Sequence, residues 1–102
     1  MASTSFKDLI NSDKPVLIDF HADWCGPCKM QGPILNNLKS AMGDAIKIVK
    51  IDVDKNNALA SKLGVSSIPT LMIFQNGELK WRGMGVQTQA VLQEQLSEFV
   101  EA

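Results

Sequence analysis

The sequence predicts one α/β domain, a central mixed sheet of about four strands with helices on both faces. Three observations lead there. Val16-Leu17-Ile18-Asp19-Phe20 is an apolar run broken once, the pattern of a strand covered on both faces. An amphipathic helix and a β-branched stretch from Ile46 to Val53 follow it, which makes a strand–helix–strand unit with a right-handed crossover. Asn76-Gly77 then joins two further apolar runs as a tight antiparallel hairpin.

Each element has a local reason. Ser5-Phe6-Lys7-Asp8 has the form of an N-terminal capping box, and Phe6, Leu9 and Ile10 recur at helical spacing, so a short helix opens the chain. Asp13-Lys14-Pro15 separates it from the central strand. From Cys28 onward Met30, Ile34, Leu35, Leu38 and Met42 mark one side of a helix that Gly43 ends, and Pro33 inside it is expected to kink it. Leu59, Ala60 and Leu63 before Gly64 predict a short third helix. Thr70 to Phe74 and Leu79 to Arg82 are the hairpin strands, and Val91, Leu92, Leu96, Phe99 and Val100 form one face of a closing helix. No repeat, low-complexity tract or linker divides the chain.

At 102 residues with 45% hydrophobic residues the chain can build one core and is too short for two ordinary domains, so residues 1–102 are read as a single domain. A net charge of −1 without a block of Lys and Arg argues against nucleic acid or an anionic membrane as partner. No apolar stretch approaches the roughly 20 residues of a spanning helix, and the first residues lack a basic region followed by a long apolar run, which reads as cytoplasmic. Two cysteines three residues apart close almost no loop, so stapling the fold is not their role.

Cys25 and Cys28 instead read as a redox pair, because a Cys-x-x-Cys beside a strand–helix–strand unit sets both thiols on one side of a helical turn within disulfide reach. The pair follows a strand and opens a helix, so Cys25 is expected at the positive helix end, where a thiolate is stabilised. Its pKa would drop from about 8.5 into the roughly 3.5–7.5 range of such dithiols. Cys25 is thus the candidate nucleophile, and Cys28, a turn further in and expected to be less exposed, the resolving thiol. Gly26 admits a substrate backbone, and Pro27 suits a first helical turn. A zinc site is not expected, since four ligands would have to come from two Cys, His21 and carboxylates. Asp19 interrupts an apolar strand, and burial would raise its pKa toward a range useful for proton transfer.

These residues stand in register with Asp19-Phe20, Ala22 through Met30, Pro33, Lys50-Ile51-Asp52, Ser67-Ile68-Pro69-Thr70, Asn76-Gly77 and Gly85, and in that order the chain resembles the thioredoxin family over almost its whole length. The resemblance implies the thioredoxin fold and a protein-disulfide reductase serving cell redox homeostasis, with substrate proteins carrying disulfides. It implies no bound cofactor, with electrons drawn from NADPH through a flavoprotein, thioredoxin reductase. It further implies that Asp19 accepts the proton of Cys28, with Lys50 close by. Ile68-Pro69 would be a cis peptide, and Trp24, Ile68, Pro69 and Gly85 would contact substrate. Gly26, Pro27, Lys50 and His21 are the residues expected to tune the dithiol.

Two departures from the family pattern matter. The strand that usually precedes the first helix is not expected here, which would leave the Ile46 to Val53 strand as an edge whose Lys47 and Lys50 discourage pairing, and a monomer is expected. His21 stands where the family commonly carries an aromatic residue; as a cation it would favour a nearby thiolate, and otherwise it is a rim histidine. The alternative function is a redox-independent binding module built on the same fold.

Overall fold

The computed structural model describes residues 5–100. In chain order the elements are α1 (Phe6–Ile10), β1 (Val16–His21), α2 (Gly26–Met42), a 3-10 turn (Gly43–Ala45), β2 (Lys47–Asp52), α3 (Asn57–Lys62), β3 (Thr70–Gln75), β4 (Glu78–Met84) and α4 (Gln89–Ser97). The four strands form one mixed sheet in the order β2-β1-β3-β4. β1 pairs parallel with β2 across the α2 crossover and antiparallel with β3, and β3 pairs antiparallel with β4.

Alternation along β1 and β3 divides the core. Leu17, Leu71 and Ile73 point to the face covered by α2 and α4, where Leu35, Leu38, Leu92 and Leu96 meet them. Val16, Ile18, Phe20, Met72 and Phe74 point to the opposite face, which Ile10 closes and against which Phe6 of α1 and Leu59 of α3 pack. The Phe6 and Phe74 rings meet edge to face with centroids 5.4 Å apart, a favoured aromatic geometry. By the same alternation Asp19, one residue from Ile18, lies on the α2 side.

The local signals act as their chemistry requires. The Ser5 side chain accepts the Asp8 amide and starts α1. Asn76 and Gly77 both take positive φ, 52° and 82°, which lets two residues reverse β3 into β4. Lys39 Nζ donates to the carbonyls of Gly43 and Ile46 at 2.8 Å each, tying down the chain after α2. Pro33 lies within α2 without dividing it. As expected, β2 is an edge strand among the described residues, and Lys47 and Lys50 on it are exposed.

Two helical faces depart from the sequence pattern. Met30, expected in the core, is exposed, and the neighbouring Gln31 is buried in its place. The buried line of α2 is Cys28, Gln31, Leu35 and Leu38, because the helix is oriented by its contacts with the sheet rather than by the mean of its apolar residues. Val91 is likewise exposed, while Phe99 and Val100 pack on the core from beyond the end of α4.

Leu38→Ala is expected to destabilise the protein by about 2–5 kcal/mol, since it would open a cavity between α2 and the sheet. The adjacent exposed Asn37→Ala is expected to stay within about 0.5 kcal/mol of the parent. Urea unfolding of the two variants measures both.

Candidate active site

Cys25 is the N-cap residue of α2. The chain leaves β1 through a tight turn, in which the Cys25 amide donates to the Ala22 carbonyl at 3.2 Å. The Cys25 Sγ then accepts the Cys28 amide at 3.2 Å, one of the donors that a helix start leaves free. Gly26 and Pro27 form the first turn, where the missing Pro27 amide costs no intrahelical bond. Nothing lies within 4 Å of a Cβ placed on Gly26, so the approach there is open. Cys25 and Cys28 are joined in a disulfide with Cα atoms 5.3 Å apart, inside the ordinary range. In the reduced state the same amide and the helix dipole stabilise negative charge on Cys25.

The expected difference in exposure between the two thiols is absent: Cys25 is 4% and Cys28 8% exposed. Both pack with Ala22, Val53 and Ile68, because the turn folds back under the loop that precedes β3. Surroundings distinguish them instead. Cys25 holds the cap position and lies 3.8 Å from the Ile68 carbonyl oxygen. Cys28 lines a recess of about 170 Å³ together with Asp19, His21, Asp23, Lys29 and Lys50.

Asp19 is buried on this recess, and its Oδ1 has no hydrogen-bond partner among the described residues. Burial pushes its carboxyl above the ordinary carboxylate range, while the charges of His21 and Lys50 act against that rise. Lys50 is the register partner of Asp19 on β2. Its ammonium lies over α2 near Gly32, about 4.0 Å from where a Cβ on that glycine would be. His21 lies beside Cys28 and Asp19 and acts electrostatically on Asp19.

As for metals, His21, Asp23 and Asp52 bring one donor atom each within 4.8 Å of one another. Asp52 Oδ1 already accepts the amides of Asp54 and Lys55, and Lys29 and Lys50 add positive charge to the neighbouring recess. Such a set favours a hydrated carboxylate corner over a closed four-ligand centre.

On the other side of Cys25, three segments converge. The Ile68–Pro69 peptide is cis, and the Gly85 amide donates to the Pro69 carbonyl at 2.8 Å. Gly85 adopts φ +83°, a conformation that side chains rarely tolerate. Trp24 is 71% exposed, and its indole N–H donates to Asp54 Oδ2 at 2.7 Å, which holds the ring at the surface. Trp24, Val53, Val65 and Ile68 line a shallow groove of about 350 Å³ next to the disulfide. Met84 and Val86, on either side of Gly85, are exposed and apolar, as is Met30.

Sequence reasoning did not find Asp54, Gln31, Met84 or Val86. Gln31 had a legible signal, since it falls three residues after Cys28 and four before Leu35 on the helical period of the buried line. The others had none, because their places at the site arise from segments brought together by the tertiary fold, the end of β4 among them.

Comparison with known proteins agrees with this geometry. The family model described as Thioredoxin matches residues 1–98. A thioredoxin from Bacillus subtilis is 52% identical over 83 residues, which cover 81% of this chain and 80% of that protein. A bifunctional thioredoxin reductase/thioredoxin from Mycobacterium leprae is 43% identical over 95 residues, 93% of this chain and 21% of that protein. The solved structure of a mutant thioredoxin from Halobacterium salinarum superimposes with a TM-score of 0.86 at 39% identity, covering 99% of this chain and 88% of that one. With its dithiol at the start of α2 and these relatives at that identity and coverage, the chain belongs to the thioredoxin family and is a thiol–disulfide oxidoreductase.

Proposed function

We propose that the oxidoreductase works in the reducing direction, as a cytoplasmic single-domain monomer that reduces protein disulfides and is recharged with NADPH electrons by a flavoprotein reductase. The observation that carries this reading is the Cys25 Sγ at the N-cap of α2, bonded by the Cys28 amide and flanked by an open apolar groove. The relative that joins a thioredoxin to a thioredoxin reductase in one polypeptide supports the choice of electron source. The family needs no bound cofactor.

The reaction proceeds in two exchanges. The Cys25 thiolate attacks one sulfur of the substrate disulfide, which breaks, and the first substrate sulfur leaves as a thiolate and takes a proton. Cys28, deprotonated, then attacks the Cys25 sulfur of the mixed disulfide and expels the second substrate thiolate. Two electrons pass to the substrate, and the protein is left with the Cys25–Cys28 disulfide. Asp19 is the proton acceptor for Cys28: both line the recess, and its volume of about 170 Å³ admits water to carry the proton between them. Lys50 and His21 limit the rise of the Asp19 pKa and so tune that step. Trp24, Ile68, Pro69 and Gly85 receive the substrate, whose extended backbone lies along the segment before β3.

Equilibration with glutathione buffers is expected to give a strongly reducing potential together with turnover of a protein disulfide. Cys25→Ser should fall to background, whereas Cys28→Ser should accumulate the mixed disulfide, visible by mass. A potential close to that of oxidising folding catalysts would overturn the reducing direction.

Asp19→Asn is expected to slow resolution by at least about tenfold at pH 7, and by less above the ordinary thiol pKa near 8.5, where Cys28 ionises unaided. Rapid-quench measurement of the mixed disulfide against pH checks this.

The same residue links pH to stability. Because the folded protein holds the Asp19 proton above the unfolded value near 3.8, the folded state binds more protons between the two pKa values, and stability falls as pH rises through that window. Asp19→Asn removes the penalty. It should therefore raise the melting temperature of the oxidised protein at neutral pH, with the gain vanishing as the pH drops below 3.8.

A further inference from the structure

The buried carboxamide of α2 has a use that its helix does not require. Gln31 is 0% exposed, and both ends of its amide are spent on the backbone of one distant residue. Its Nε2 donates to the Gln87 carbonyl at 2.9 Å, and its Oε1 accepts the Gln87 amide at 2.8 Å. Two antiparallel bonds to one residue fix rotation as well as distance.

The connection continues past Gln87. The Gln87 carboxamide donates to the carbonyls of Met84 at 3.1 Å and Gly85 at 3.2 Å. A Cβ on Gly83 would lie 3.0 Å from its Cδ, so this side chain is packed against β4. The Gly85 amide in turn reaches the Pro69 carbonyl at 2.8 Å. Hydrogen bonds thus run from the helix that carries the dithiol, through residues 84–87, to the loop that faces Cys25. Residues 85–88 belong to no helix or strand, so the regular structure of β4 and α4 does not itself hold them.

We propose that Gln31 and Gln87 are positioning residues for substrate. They form a carboxamide clamp that sets the Gly85–Val86 turn, beyond the exposed Met84 that ends β4, at a fixed place relative to Cys25, completing the Met84–Gly85–Val86 rim, and so govern affinity for polypeptide disulfides without changing the dithiol chemistry. The inference rests on the reductase reading and names what that surface grips: an extended polypeptide lying against the rim. A small disulfide, which reaches only Cys25, is indifferent to the clamp.

The test uses prereduced protein in single turnover against insulin and against a small aromatic disulfide, with the dithiol potential measured alongside. Gln31→Met, similar in size and without hydrogen-bonding capacity, is expected to raise the half-saturating insulin concentration about five- to tenfold, the factor that follows from losing net hydrogen bonds of ordinary strength. The limiting rate, the small-disulfide rate and the potential should each stay within about twofold. The Gln87 amide should exchange faster with deuterium. Should Gln31→Met fail to fold, Gln87→Ala keeps the bonds from Gln31 and removes those to Met84 and Gly85, and a rise of about two- to threefold is expected.

Unchanged half-saturation in a folded variant, or equal slowing with both disulfides, overturns the clamp while leaving the reductase reading intact. A parent protein that reduces neither disulfide overturns the reductase reading, and the clamp with it.

Discussion

Burial of β1 on both faces is the constraint from which the site follows. Val16 to Phe20 can satisfy their backbone only in the sheet interior, so the strand takes a place between β2 and β3, with helices above and below. Its carboxyl end then delivers the chain straight to the start of α2, which is anchored over the same sheet by Leu35 and Leu38. The dithiol stands at that junction, so its two walls are fixed by the hydrophobic core. The period of two that buries Leu17 on the α2 side places Asp19 and His21 there as well, toward Cys28.

A carboxyl group in that position opposes stability once it ionises, and its Oδ1 has no hydrogen-bonding partner among the described residues to offset the cost. Lys50 and His21 soften the penalty without removing it. In the proposed mechanism that raised carboxyl is the group that takes the proton of Cys28, a task a fully solvated Asp would do poorly. The stability given up at Asp19 and the proton-accepting role proposed for it have one physical origin, its burial.

The two thiols are buried to similar degrees, so the division of labour proposed for them rests on their surroundings rather than on exposure. Cys25 receives the amide of a helix start and lies 3.8 Å from the carbonyl of Ile68, which lines the groove beside Trp24; Cys28 lines the recess with the charged groups. The groove side gathers the turn before α2, the segment before β3 and the turn after β4. Those segments are far apart in sequence; Gln31 ties α2 to the turn after β4 through Gln87, and Trp24 ties the turn before α2 to Asp54 beyond β2.

The sequence by itself determined much of this protein. The apolar runs, the Asn76-Gly77 turn, the Ser5 cap and the Cys25-Gly26-Pro27-Cys28 spacing act through neighbours within a few residues, so the sheet, its four strands and the place of the dithiol were legible without coordinates. Only the tertiary structure decided which side of α2 faces inward, and with it that Gln31 rather than Met30 is buried, because helix rotation is set by what packs against it. It likewise decided that Cys25 is as buried as Cys28, that Asp54 anchors Trp24, and that Met84 and Val86 are exposed on either side of Gly85. These depend on loops meeting across the sheet, and no local pattern encodes a contact whose partners lie thirty or more residues apart.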